Sequence, residues 1–381
     1  MQKRKQIVTN IANLTKQLIS IPSWVGDGCN EIEIGNFIYN WLKENTDLVV
    51  TKQPVVDGRF NIIAKDNSPT EILLAGHIDT VETRAGWNTN PFQPVEKNDR
   101  IFGLGSSDMK GSLTSLMVYL ANPDKSSGLM ALFYVDEEYD FLGIKQFIAE
   151  YEDKISPNLI ISLDGSVDTI GNGCRGLIET SFRVQGKSGH AGKPELGINA
   201  ITLGVNCINK LKRHLATKYS DPTLGISSLN LAYCQGGLNL ENNQYGKQGN
   251  NIADVAEFVL DIRPANSKLN ADRVKKLLNT YLKSAKLTLS DWSVRHDLGS
   301  WLTPTFDLKS LAPKDSIYSP SIGYIDTQML WRSFGEPIAL TIGAGQLELA
   351  HRANEYVEIS SLKKSLSLIQ SIIRNYSTRS L

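Results

Sequence analysis

Apolar residues fall into two kinds of pattern along the chain. Residues 7–19, 31–42, 110–120, 141–151 and 360–374 place them at helical spacing, whereas 61–64, 72–76, 129–135, 159–163 and 338–342 are short apolar runs of strand length. Strands alternating with helices predict an α/β sheet covered on both faces. The middle of the chain has another rhythm: a strand at 178–184, a helix at 199–215, strands at 228–233 and 253–263, a helix at 270–285 and a strand at 286–294. This β-α-β-β-α-β order is that of a ferredoxin-like sandwich. Asn270 suits the N-cap of the second helix, and Val274, Leu277, Leu278, Tyr281 and Leu282 form one apolar stripe after it. Residues 236–249, rich in Gly, Asn and Gln, read as a long loop. The expected organisation is therefore discontinuous. Residues 1–174 and 296–381 build one α/β domain, into which residues 175–295 are inserted as a smaller module.

Composition narrows what such a chain can do. The 381 residues hold 40 Lys and Arg against 40 Asp and Glu, so no net field invites nucleic acid or an anionic membrane. No apolar run approaches the ~20 residues that span a bilayer. The basic residues 1–4 lead into a helical period rather than a signal-peptide core. Cys29, Cys174, Cys207 and Cys234 show no paired spacing, which argues against a disulfide framework and makes the cytoplasm the expected compartment.

The chain has only five histidines, so their positions carry information. Residues 73–81 read L-L-A-G-H-I-D-T-V, placing His77 and Asp79 after an apolar strand. A carboxylate that close to an imidazole can fix its tautomer and raise its ligand strength. Asp108 opens a helix within G-L-G-S-S-D-M-K-G-S-L, where helix capping is the plainer alternative. The strand at 129–135 runs into Asp136-Glu137-Glu138, three acids that repel one another unless a cation or proton compensates. Asp164 follows the strand at 159–163, and His351 lies in the segment G-A-G-Q-L-E-L-A-H-R-A-N-E-Y that follows the last apolar run. Sites in α/β sheets form at the carboxyl ends of strands. His77, Asp108, Glu138, Asp164 and His351 thus form a nitrogen and oxygen set suited to zinc, with cobalt as a possible substitute. Five ligands exceed the three of a single catalytic zinc, and two metals sharing a carboxylate fit better. Such pairs activate a bridging water and polarise a carbonyl or phosphoryl group. His214 and His296 read as surface residues.

These segments, in this order and spacing, resemble the signatures of the zinc-dependent aminoacylase, acetylornithine deacetylase and succinyl-diaminopimelate desuccinylase family, and most closely its acetylornithine deacetylase branch. The resemblance covers residues from about 18 to 358. It implies a two-domain metallohydrolase, with a mixed-sheet catalytic domain and the insert serving as a lid through which a homodimer forms. It implies two zinc ions, the first on His77, Asp108 and Asp164, the second on Asp108, Glu138 and His351, with Asp108 bridging and Asp79 behind His77. Glu137 matches the general base. His190, in V-Q-G-K-S-G-H-A-G-K-P, matches a lid histidine that reaches the partner subunit's site and steadies the tetrahedral intermediate. Asn250 and Arg263 match positions that hold substrate, Arg175 sits at the hinge, and Gly345 counts with the substrate-binding set. The implied reaction is hydrolysis of an N-acyl-L-amino acid, foremost N-acetylornithine in arginine biosynthesis. Succinyl-diaminopimelate, N-acetylcitrulline, N-acetyllysine and dipeptides are alternative substrates, and an inactive metal-binding relative is the alternative outside enzymes. Asp164 stands in D-G-S where these deacetylases commonly have Glu, Ala253 replaces a common proline, and G-A-G at 343–345 replaces G-P-G.

Overall fold

A computed structural model describes residues 11–123, 127–240, 244–321 and 323–378, so residues 7–10 of the first predicted helix lie outside the described residues. The chain separates into two compact units, one within Met1–Asn172, Thr303–Ser319 and Ile325–Leu381, the other formed by Gly173–Leu302 and Pro320–Tyr324.

The first unit is built on a six-stranded sheet in the order Val49–Val56, Arg59–Lys65, Leu129–Tyr134, Ile72–His77, Leu159–Ser162, Ile338–Thr341. The first two strands form an antiparallel hairpin, and the last four run parallel to one another. Every residue of Ile72–His77, Leu129–Tyr134 and Leu159–Ser162 is buried, because parallel strands are covered on both faces and so read as continuous apolar runs. Alternate residues serve the two faces. Ile72, Leu74, Ala131, Phe133 and Ile161 join Leu18, Ile38, Leu116 and Ile369 from the covering helices in one core. Across the sheet, Leu142–Tyr151 and Thr327–Ser333 cover the other face, with Phe147 edge-on to Phe334. The helix Gly111–Ala121 is buried along its whole length, as a helix apolar all round must be.

The hairpin strand Val49–Val56 escaped the apolar pattern. Its burial alternates irregularly, it contains Pro54, and it lies at the sheet edge, where a strand has no continuous apolar run to announce it.

The second unit has a five-stranded antiparallel sheet in the order Tyr245–Gly246, Ser228–Asn239, Val255–Arg263, Leu177–Gln185, Thr288–Leu298. The helices Ala200–Lys218 and Ala271–Ser284 share a core with it. Both helices are capped by an asparagine side chain, Asn199 accepting from the Thr202 N–H and Asn270 from the Arg273 N–H. The four long strands and two helices follow the order β-α-β-β-α-β. The expected loop at 236–249 is partly strand: Gly236 and Gly237 pair with Ala256 and Val255, and Leu238 and Asn239 with Gly246 and Tyr245. Its Gly-rich composition hides pairing in which backbones, not side chains, make the contact. Among the described residues, no helix is long and apolar enough to cross a membrane.

Leu132 is fully buried in the central sheet. Leu132→Ala should cost about 2–5 kcal/mol of unfolding free energy, read by denaturant titration, and a loss below about 1 kcal/mol would show that this sheet is not the core.

Candidate metal centre

Three parallel strands end at one edge of the first unit's sheet, and each delivers acidic or imidazole side chains there. Ile72–His77 ends in His77 itself, Leu129–Tyr134 leads to Asp136, Glu137 and Glu138, and Leu159–Ser162 leads to Asp164. Asp108 comes from the turn Ser106–Lys110 just before the buried helix, and His351 from the segment after Ile338–Thr341. Asp136 (φ 70°) and His351 (φ 60°) both hold the left-handed backbone region, which Asp and His tolerate better than most side chains.

Asp108 lies between two imidazoles. Its Oδ1 is 3.2 Å from His77 Nε2 and its Oδ2 3.4 Å from His351 Nε2, while His351 Nε2 is 2.9 Å from Glu138 Oε1. Ligand atoms of His77, Asp108 and Asp164 lie within 4.8 Å of one another, as do those of Asp108, Glu138 and His351. Each group could hold a cation. A third group of the same size joins Glu137, Asp164 and Asp326.

The surroundings orient these groups. His77 Nδ1 is 3.1 Å from the Asp79 carbonyl oxygen and 3.4 Å from Asp79 Oδ1. A proton on Nδ1 directed there would leave Nε2 free to ligate a cation placed between His77 and Asp108. The Asp79 carboxylate also accepts from the Glu137 N–H at 3.1 Å and the Glu138 N–H at 2.9 Å, so one side chain aligns the histidine and both glutamates. Asp136 turns away from this centre. Its Oδ1 is 2.5 Å from Arg59 Nη2, and Arg59 in turn grips both oxygens of Glu31, at 2.7 and 2.6 Å. Glu31 closes the loop by accepting from the Asp136 N–H. Of the three consecutive acids, the first is therefore structural.

Burial and crowding set the proton affinities. Burial drives the Glu137 carboxyl well above its ordinary range, helped by the charges of Asp326 and Glu138. Asp164 is pushed up to about 7 by burial and by Asp108, and Asp326 to about 6, chiefly by burial. Burial works against ionisation of Asp108 too, but its bonds to His351 and His77 win and hold it below the carboxylate range. His351 rises to about 10 through its bonds to Asp108 and Glu138. Burial would lower the proton affinity of His77, yet Asp108 and Asp79 raise it well above the ordinary value. A divalent cation would replace those protons as the compensating charge.

Glu355 and Asp326 were missed from sequence. Glu355 is 1% exposed, accepts three backbone N–H bonds from the turn that bears Asp108, and is pushed up to about 8 by burial. Asp326, also 1% exposed, precedes a short helix and follows no strand pattern. Gly345 packs its backbone against the carbonyl of Ser107, where any Cβ would collide.

The remaining candidates belong to the second unit. His190 is exposed and bridges to Asn251, with its Nδ1 accepting from the Gly192 N–H and Ala191 N–H donating to the Asn250 carbonyl. His190 and Asn250 are thus side by side. Arg263 makes a two-point pair with Asp261 of its own strand, at 2.8 and 2.9 Å, and Arg175 donates to the Leu224 carbonyl. The two histidines read as surface residues are otherwise placed: His214 is half-buried with Nδ1 2.9 Å from the Tyr281 hydroxyl, and His296 is 8% exposed within its strand.

The profile of peptidase family M20/M25/M40 matches residues 73–375. The chain belongs to this family. It is an amide-hydrolysing enzyme, as its M20 relatives are. An acetylornithine deacetylase of Proteus mirabilis is 29% identical over 388 aligned residues, covering 95% of this chain and 96% of that one. Among solved structures, aminopeptidase PepT of Bacillus cereus matches with a TM-score of 0.75 and 20% identity, over 97% of this chain and 98% of its own. A dinuclear metal binding M20 peptidase of Bacillus subtilis matches with a TM-score of 0.70 and 15% identity, over 99% of this chain and 100% of its own.

The M20 site makes stability depend on pH once cations are removed. Asp164, Asp326 and Glu355 have folded-state values of about 7, 6 and 8 against ordinary values of 3.8, 3.8 and 4.5. Raised values mean that the folded chain binds more protons there, so the stability is present below the ordinary values and is lost as pH rises through the folded ones. His351, raised to about 10 from 6.5, acts with the same sign at higher pH. Chelator-treated protein should therefore melt at a lower temperature at pH 8 than at pH 5, and Asp164→Asn should flatten the difference. Equal melting temperatures in the unmodified chain would contradict this.

Proposed function

We propose that the enzyme hydrolyses the amide bond of N-acyl-L-amino acids, N-acetylornithine foremost, with two divalent cations held at the sheet edge. The observation that carries this reading is the position of Asp108, whose two carboxylate oxygens face His77 on one side and His351 on the other. One cation belongs to His77, Asp108 and Asp164, the other to Asp108, Glu138 and His351. Three nitrogen and oxygen ligands each, without thiolate, suit zinc, with cobalt a competent substitute. When bound, the pair supplies Lewis acidity toward the acyl carbonyl and toward a nucleophilic water.

The chain's own groups then divide the remaining work. Glu137 takes the proton of the attacking water and passes it to the departing amine, a task suited to a buried carboxyl of raised proton affinity. Asp79 keeps Glu137 and Glu138 in place through their backbone N–H groups. His190, offered by the partner subunit of a homodimer, donates to the developing oxyanion. Arg263 receives the substrate's α-carboxylate, for which its fork is well matched. That carboxylate competes with Asp261, which holds the same fork. Asn250, Arg175 and Gly345 complete the substrate-binding set, and the compartment is the cytoplasm.

The relatives named acetylornithine deacetylase favour N-acetylornithine over N-acetylcitrulline, N-acetyllysine, N-succinyl-diaminopimelate and dipeptides. With zinc or cobalt supplied, a turnover screen of these compounds should give the highest kcat/KM on N-acetylornithine. Glu137→Ala should lose roughly 10²–10⁴-fold in kcat or more while still taking up zinc. Full turnover in Glu137→Ala would sink the mechanism, and a higher kcat/KM on another compound would reassign the substrate.

A further inference from the structure

The turn that bears Asp108 is held from the far end of the chain. The Gly105 N–H donates to Glu355 Oε2 at 2.9 Å, and the Ser107 and Asp108 N–H groups donate to Glu355 Oε1 at 2.6 and 2.9 Å. Asp108 has non-helical backbone angles, φ −127° and ψ 94°, and lies ahead of the buried helix, where an N–H has no intrahelical carbonyl to bond; Glu355 accepts from it instead. The same C-terminal segment grips the turn again beside it. The Ser107 hydroxyl donates to the Gln346 carbonyl at 3.1 Å and accepts from the Gln346 N–H at 2.7 Å. Nearby, the buried Lys110 amine donates to the Ile21 carbonyl at 2.7 Å, and burial draws its proton affinity down while the Glu355 charge pushes it up. Residues 343–355 therefore supply one proposed ligand, His351, and fix the turn that supplies another.

We infer that Glu355 is a positioning residue that sets the Asp108 carboxylate between the two cations. This rests on the dinuclear reading above. Glu355 is buried and touches backbone rather than substrate, so its effect reaches the reaction only through Asp108. Without its carboxylate three buried donors lose their acceptor, and the turn can recover solvent or other partners only by moving. Asp108 moves with it, and both cations lose the ligand they share.

The test uses zinc itself as the probe, in the full chain, with Glu355→Gln and Glu355→Ala compared with the unmodified enzyme. Gln keeps one oxygen for the Ser107 and Asp108 N–H groups but turns an amide nitrogen toward Gly105, whereas Ala keeps no acceptor. Competition against a chromophoric chelator should show zinc affinity weakened about 10–100-fold in Glu355→Ala and by less in Glu355→Gln. Activity at limiting zinc should fall through kcat, with KM unchanged at saturating zinc, and Gln should restore part of what Ala loses. Where Ala does not fold, Gln alone carries the test. A lowered melting temperature with unaltered zinc affinity and kcat would assign Glu355 a merely structural role and overturn the inference. An unmodified enzyme that binds no zinc would overturn the dinuclear reading as well, whereas one that binds two, with variants that bind two equally tightly, overturns this inference alone.

Discussion

Everything at this site follows from the cost of placing several carboxylates together at the end of a buried parallel sheet. Asp108, Glu137, Glu138, Asp164 and Asp326 share a region where burial and mutual repulsion raise the proton affinity of all but Asp108. A fold keeps such a cluster only if something of opposite charge sits within it. Two imidazoles supply part of that charge, and their contact with both oxygens of Asp108 makes this carboxylate the centre of the arrangement. The apolar sheet that makes the cluster expensive is also what fixes the strand ends to within bonding distance of a common point.

Around the centre, charge is managed by pairing outward. Asp79 satisfies two backbone N–H groups and one imidazole, Glu355 satisfies three backbone N–H groups, and Asp136 with Glu31 encloses Arg59. Asp79 and Glu355 each orient a segment that bears a proposed ligand or the proposed base, whereas the Arg59 cluster holds the outward-facing Asp136 beside them. Removing charge compensation from such groups is costly in a buried setting, so the supporting shell and the centre constrain each other.

Sequence patterns showed much of this and missed definable parts. The parallel strands were legible because continuous apolar runs have one economical explanation, a strand covered on both faces. Val49–Val56 and the end of Ser228–Asn239 were not, because an edge strand with a proline and a Gly-rich strand carry no apolar signal. His77 and Asp164 stood out for the same reason as the strands, since they directly follow the apolar runs 72–76 and 159–163, and Glu138 closes the acidic triplet after 129–135. The strand pattern gave no reason why Asp136, rather than Glu137 or Glu138, turns outward, because that answer lies with Arg59, 77 residues away. Glu355 was hidden more deeply: its partners are backbone N–H groups as far as 250 residues distant, and no spacing rule connects them.

The most direct check on a centre organised around Asp108 is anomalous diffraction at the zinc absorption edge from crystals grown with zinc. Two peaks should appear, one ringed by His77, Asp108 and Asp164 and the other by Asp108, Glu138 and His351, with Asp108 contacting both. A single peak, or two peaks of which neither touches Asp108, would contradict the arrangement.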